Sequence, residues 1–302
     1  MIRLTPIVML HYVSDEEGME LLEPWNISRS SFLRLLDFIG ENDYRTVGFE
    51  DKNLHDPAKS IIITFDDCPK HLWEFAIPEL IRRNMKAVFY ISTAYIGGID
   101  EWNLVPSAPV LQMMDEDDIK NLVKAGMEVG SHAHRHIMLG KEQTDIAYRE
   151  IAYSKQKLEE LTGREVVSLA YPYGCIPKHY RSIVRQAGFA YSSGVFPKWE
   201  NSLNLRRWIF SNDMNEDQIA EKLQQEYKRK RKFSNPLFLL LIFVVRLISD
   251  FYFIIRESLA KIHRHRVFIR FTKKGWYMGL MELSELWADS YCFNIFEGVY
   301  LF

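Results

Sequence analysis

Ser60-Ile61-Ile62-Ile63-Thr64-Phe65-Asp66-Asp67 is an apolar, β-branched run that ends on two carboxylates. Its composition predicts a strand over 60–65. Two other strings share this arrangement. Ser131-His132-Ala133-His134-Arg135-His136 closes a predicted strand that begins at Met127, and Tyr171-Pro172-Tyr173-Gly174 closes one that begins at Val166. Each string therefore falls at the carboxyl end of a strand, the edge of an α/β fold where ligands bind and chemistry is done.

Working outward, the periodicity predicts further strands over 6–10, 86–92, 189–193 and 205–211. Helices are predicted over 30–41, 73–83, 115–125, 142–161 and 177–186. Phe32, Leu35, Leu36 and Ile39 share one face of the first helix, and the 115–125 helix opens on acidic residues that suit its dipole and stops at Gly126. Strands that alternate with helices make a parallel sheet. The expected fold is α/β, a distorted or incomplete (β/α) barrel, followed by a basic and apolar helical appendage. The character of the chain changes between Asn212 and Glu216, which gives a first domain over 1–212 and a tail over 213–302.

The 302 residues suffice for one large domain with an appendage, and 47% hydrophobic with 14% aromatic residues indicates a filled core rather than disorder. Cys68, Cys175 and Cys292 form no Cys-x-x-Cys pair, which points to a reducing compartment and free thiols. Cys68 and Cys175 each follow one of the strings and are expected at the rim of a cleft. No secretory leader is visible at Met1 to Val8, so a cytoplasmic location is expected.

Two carboxylates and two imidazoles brought to one sheet edge can hold a divalent cation and leave one carboxylate beside its water as a base. His132 and His136 are four apart, a spacing that puts both on one side of a helical turn or across a tight loop, with His134 pointing away. Read singly, each string has a plainer explanation: a capping pair for the aspartates, structural histidines, ordinary loop material for Pro172-Tyr173-Gly174. Their joint order is far more specific. Tyr173 and Gly174 after Pro172 form a rigid turn whose backbone N–H groups can face an oxyanion.

Together the strings resemble the polysaccharide deacetylase family, the NodB-homology carbohydrate esterases, over roughly His11 to Ile209. The family's motifs are Thr-Phe-Asp-Asp-Gly, Ser-His-x-x-x-His and Arg-x-Pro-Tyr-Gly. The opening Met9-Leu10-His11-Tyr12-Val13 and the turn Lys124 to Gly130 are also similar to it. The resemblance implies Asp66 as general base, Asp67, His132 and His136 as ligands of a divalent metal, zinc by default, and the Tyr173 backbone at an oxyanion hole. This chain departs from the pattern in three places. Cys68 replaces a glycine. Ala170 replaces the arginine that orients the base, so Arg207, or its neighbour Arg206, is the candidate substitute. The late Leu-x-His motif that supplies a general acid is not recognisable, and His11, expected at a strand end facing the cleft, is the candidate in its place.

Between Lys228 and Lys274 the chain is strongly basic, with only Asp250 and Glu257 opposed, although the whole carries a net charge of −2. Leu237 to Ile255 is almost wholly apolar and close to the ~20 residues a spanning helix needs. Arg246 and Asp250 near its middle would each cost roughly 2.5–3.5 kcal/mol in a bilayer. A helix lying in the membrane interface is therefore the favoured expectation, with a helix packed on the barrel or a true span as alternatives. No nucleic-acid-binding module accompanies the basic run.

The expected activity is metal-dependent de-N-acylation of an amino sugar in a glycan or lipid-linked glycan precursor, at the cytoplasmic face of a membrane. The alternatives are an O-acetyl carbohydrate esterase with the same site, or a catalytically silent relative that binds glycan or scaffolds a complex.

Overall fold

The computed structural model describes residues 5–51, 59–102, 107–195 and 200–225, and two strands at 266–272 and 275–281. The chain divides into two compact units, Met1–Tyr227 and Lys228–Phe302.

The first unit opens with β1 (Ile7–Leu10), β2 (Tyr12–Val13), β3 (Asn26–Ile27), α1 (Arg29–Glu41) and β4 (Arg45–Thr46). It continues through β5 (Ser60–Phe65), α2 (Ala76–Arg82), β6 (Val88–Ile91), α3 (Glu116–Lys124) and β7 (Glu128–Ser131). It closes with α4 (Thr144–Thr162), β8 (Ser168–Ala170), α5 (Tyr180–Gln186), β9 (Tyr191–Ser193), β10 (Trp208–Ile209) and α6 (Glu216–Gln225). The sheet runs β10-β1-β5-β6-β7-β8-β9, with β4 also on β5, and every pairing is parallel. A parallel bridge from Ser193 to Leu205 ties the last strand to the segment that leads into β10. The architecture is the expected incomplete (β/α) barrel.

Strand alternation sorts the core into two layers. Ile61, Ile63 and Phe65 of β5 pack outward among Phe32, Leu35, Ile77 and Leu80 of the helices. Ile62 packs inward with Ile7, Val88, Tyr90, Ala170 and Leu205. Helix ends follow local chemistry. Ser28 accepts from the Ser31 N–H at the start of α1, and Asp115 and Asp118 form a reciprocal capping box on α3. Helix α2 starts later than periodicity predicts because Lys70–Trp73 forms a separate 3-10 turn.

The domain boundary expected near Asn212 lies further on. Ile219 and Leu223 of α6 are fully buried in the outer core, so this helix belongs with the first unit rather than with the tail. In the second unit, β11 (Arg266–Thr272) and β12 (Gly275–Met281) pair as an antiparallel hairpin. Residues 237–255, expected to lie on a membrane, fall outside the described residues, and no helix among the described residues is long and apolar enough to cross one. Cys292 also falls outside them.

At the amino-terminal end of β7, away from the three strings, Glu128 is only 2% exposed. Its Oε2 accepts from the Glu50 N–H at 3.1 Å and its Oε1 from the Ser168 hydroxyl at 3.4 Å. A β-carbon on Gly48 would overlap this carboxylate, so a larger residue there would have to displace it. Burial pushes the Glu128 carboxyl from its usual 4.5 up to about 7. Below the lower value both folded and unfolded chains hold the proton. Between the two values the unfolded chain ionises first, so stability falls as pH rises, and above about 7 the loss is complete. This one group is expected to remove roughly 2–3 kcal/mol of stability between pH 5 and pH 8. Urea unfolding of Glu128→Gln at both pH values should show a correspondingly smaller difference; an unchanged difference would place the burden elsewhere.

Candidate active site

Asp66 continues β5, its N–H donating to Leu10 O at 2.9 Å. By alternation its side chain joins Ile62 and Thr64 on the inner face. Asp67 would then point outward, but its φ of 65° and that of Cys68, 61°, turn the chain in the left-handed region. The turn carries the Asp67 carboxylate back into the same cleft. Aspartate tolerates this conformation better than most residues, whereas cysteine carries a cost of roughly 1–2 kcal/mol. Cys68 does not line the rim as expected. Its thiol turns into the core, donating toward Phe65 O at 3.4 Å and Tyr90 O at 3.3 Å, and burial pushes its pKa well up. Cys175 is half-buried, and both thiols are free.

Arg207 lies on the inner face one residue before β10. Its Nη1 donates to Asp66 Oδ1 at 2.6 Å and its Nη2 to Asp66 Oδ2 at 2.7 Å, while Nη1 also reaches the Thr64 hydroxyl at 3.3 Å. Its guanidinium sits 5.5 Å from the centre of the Tyr90 ring. This two-pronged bond is the strong form of the arginine–carboxylate pair. Burial alone would raise the Asp66 pKa, but the Arg207 charge and hydrogen bonds, with His132 and His11, together outweigh it and lower the pKa. Arg206, the alternative candidate, is exposed and its N–H donates to Glu200 instead.

The histidine string is a tight loop rather than a helical turn, with left-handed φ at Ala133 and His136. Glu150 of α4 pins it, accepting from the Arg135 N–H at 2.9 Å and from Arg135 Nε at 2.7 Å. His132 Nδ1 donates to Ala170 O at 2.8 Å, which leaves its Nε2 lone pair for the cleft. Burial pushes the His132 pKa down to about 4, so the ring is neutral near pH 7. His134 points away, its Nδ1 2.9 Å from the Thr93 hydroxyl. His136 Nε2 lies 3.1 Å and His132 Nε2 3.6 Å from Asp67 Oδ1.

The ligand atoms of Asp67, His132 and His136 all lie within 4.8 Å of one another, and all three residues are buried. Asp67 Oδ1 faces both imidazoles yet has no aligned hydrogen-bond partner among the described residues. One carboxylate with two neutral-capable imidazoles is a common donor set for a divalent cation with an open position, so the residues fit one. Burial would raise the Asp67 pKa, but His136 first, then His11 and His132, hold it below its usual value.

His11 follows β1 at the same sheet edge, its ring tilted against that of Trp25 with centroids 4.5 Å apart. Burial lowers its pKa, against the opposing pull of Asp66 and Asp67. Tyr173 adopts φ 56° in the turn after β8, with its ring 4.6 Å from that of His136. The Trp102 ring lies 4.4 Å from that of His136. Sequence reading missed Trp102 and Tyr12, whose hydroxyl donates to Asp67 Oδ2 at 3.1 Å. Nothing marks Trp102 in its loop, but Tyr12 directly follows His11 and could have been found by position.

The family model described as Polysaccharide deacetylase matches residues 53–192, which takes in all three strings but not His11, Tyr12 or Arg207. The poly-beta-1,6-N-acetyl-D-glucosamine N-deacetylase of Staphylococcus aureus is 22% identical over 212 residues, covering 64% of this chain and 70% of that protein. The enzyme of the same name from Staphylococcus epidermidis is 24% identical over 223 residues, covering 69% and 71%. Among solved structures, the Streptococcus pyogenes deacetylase PplD aligns with a TM-score of 0.62 at 19% identity, over 72% of this chain and 97% of its own. IcaB from Ammonifex degensii aligns with a TM-score of 0.59 at 22% identity, over 73% and 97%. These two share the barrel described above, and with the three strings in their places the chain is similar to the polysaccharide deacetylases over the residues that the family model matches.

Proposed function

We propose that this chain hydrolyses the N-acetyl amide of an amino-sugar glycan, with poly-β-1,6-N-acetylglucosamine as the first substrate to test. The observation that carries this is Asp66: a buried carboxylate, paired with Arg207, beside the three-residue donor set but outside it. Holding a cation would not require it; activating a water does. The activity named for the staphylococcal relatives supports a polymeric substrate.

A divalent cation, zinc by default from the donor set, would be held by Asp67, His132 and His136 and would supply Lewis-acid polarisation of water and carbonyl. Asp66 accepts the proton of the attacking water, using a lone pair not engaged by Arg207. Arg207 fixes the plane of that carboxylate. The backbone N–H of Tyr173 is the candidate donor to the oxygen of the tetrahedral species. His11 is the candidate donor of a proton to the departing amine; Asp66 and Asp67 oppose, without reversing, the burial that lowers its pKa. Acetate and a free amino sugar result.

Incubation of the purified, zinc-loaded chain with the polymer should release acetate and generate free amines, stop on chelation and resume on repletion. No release by loaded protein would overturn the reading. Acetate from O-acetylated sugars with the amides left intact would replace it with esterase activity.

A further inference from the structure

We infer that Tyr12 is a positioning residue for the cation site: its phenol commits one oxygen of Asp67, so that the other alone is presented to the two imidazoles. This deepens the proposed function and rests on its assignment of Asp67, His132 and His136 as ligands.

The geometry divides the Asp67 carboxylate in two. Oδ2 accepts from the Tyr12 hydroxyl at 3.1 Å. Oδ1 lies 3.1 Å from His136 Nε2 and 3.6 Å from His132 Nε2. A carboxylate turns easily about its last torsion, which is broad and roughly two-fold. The backbone does little to restrain it, because Asp67 sits in a left-handed turn past the end of β5. A fixed donor on one oxygen removes that freedom.

Tyr12 is well placed to be such a donor. It is 4% exposed and lies on β2, in register with Asn26 of β3. Its N–H donates to Trp25 O at 3.2 Å. Its ring packs with Met19, Leu22 and Leu111 in a small cluster separate from both barrel layers. The phenol thus reaches Asp67 from an element that contributes no ligand. Outer hydrogen bonds of this kind typically change cation affinity 10–100-fold when removed.

A tyrosine that merely fills this cluster would affect stability alone, and the two roles separate experimentally. Tyr12→Phe keeps the ring and deletes the hydroxyl. Leu22→Ala loosens the same cluster and leaves the hydroxyl in place. Zinc affinity by chelator competition, the visible spectrum with cobalt substituted, and the thermal midpoint of the cation-free chain are measured for each. Tyr12→Phe should bind zinc about 10–100-fold more weakly, with an altered cobalt spectrum and little change in midpoint. Leu22→Ala should lower the midpoint and leave zinc affinity as in the wild type. Wild-type zinc affinity and cobalt spectrum in Tyr12→Phe would overturn the inference alone. So would an equal weakening in Leu22→Ala, which would assign the effect to packing. A wild-type chain that takes up no zinc would instead remove the ligand assignment itself, and this inference with it.

Discussion

Asp66→Asn should lower turnover by roughly 10²–10⁴-fold, the usual worth of a positioned general base, while the chain still takes up its cation. Asparagine preserves the shape of the side chain and can still accept one bond from Arg207. It cannot take a proton from water. The three donor residues are untouched, so the loss falls on turnover rather than on cation content. Stability also responds. Arg207 and Asp66 are both almost wholly buried and joined by two short bonds, and removing one charge from a buried pair costs ~3–5 kcal/mol because the other is left uncompensated. The variant must therefore be assayed at a temperature where circular dichroism shows it folded. Arg207→Lys supplies the complementary case. It keeps the charge but loses the planar fork, so the Asp66 carboxylate is held at one point instead of two. Its turnover should fall between those of wild type and Asp66→Asn. Near-normal turnover in folded, cation-loaded Asp66→Asn would remove Asp66 from the chemistry.

The same arginine shows how far sequence reasoning reaches. The three strings were legible because each directly follows a buried strand, and a carboxyl-end position needs only the element and its direction. Choosing Arg207 over Arg206 needed one further step that the sequence also carries. Trp208 and Phe210 face the outer core, so alternation puts Arg207 inward and Arg206 out. Other features depend on backbone dihedrals or long-range contacts. The left-handed turn at Asp67 and Cys68 leaves no trace in periodicity, which is why Cys68 was expected at the rim and lies in the core. Helix α6 was assigned to the tail because its composition is polar. Its two anchors, Ile219 and Leu223, are only one helical turn apart and too few to dominate a charged window. Strands β2 and β3 are two residues each, below the length at which alternation can be read, and with them went the placement of Tyr12.

The cation site makes the second large prediction. The double variant His132→Ala, His136→Ala should lose stoichiometric zinc altogether, as measured by elemental analysis of protein dialysed against buffer without metal. Both imidazoles are buried, His132 is held in one tautomer by Ala170 O, and both present Nε2 to Asp67 Oδ1. Without them a single carboxylate remains of the donor set, and one monodentate oxygen cannot compete with water for a divalent ion. Removing two buried rings also leaves cavities, so a folding control is needed; His132→Gln with His136→Gln retains most of the volume and should lose zinc as well. Asp67→Asn separates the carboxylate from the imidazoles. It keeps both rings and should weaken zinc without abolishing it, because two neutral nitrogen donors remain but the negative charge that favours the cation is gone. The expected order of zinc affinity is wild type, then Asp67→Asn, then either histidine pair. Stoichiometric zinc persisting in the folded glutamine pair would mean that the ion is held elsewhere, and Asp67, His132 and His136 would have to be read as a buried hydrogen-bonding cluster instead.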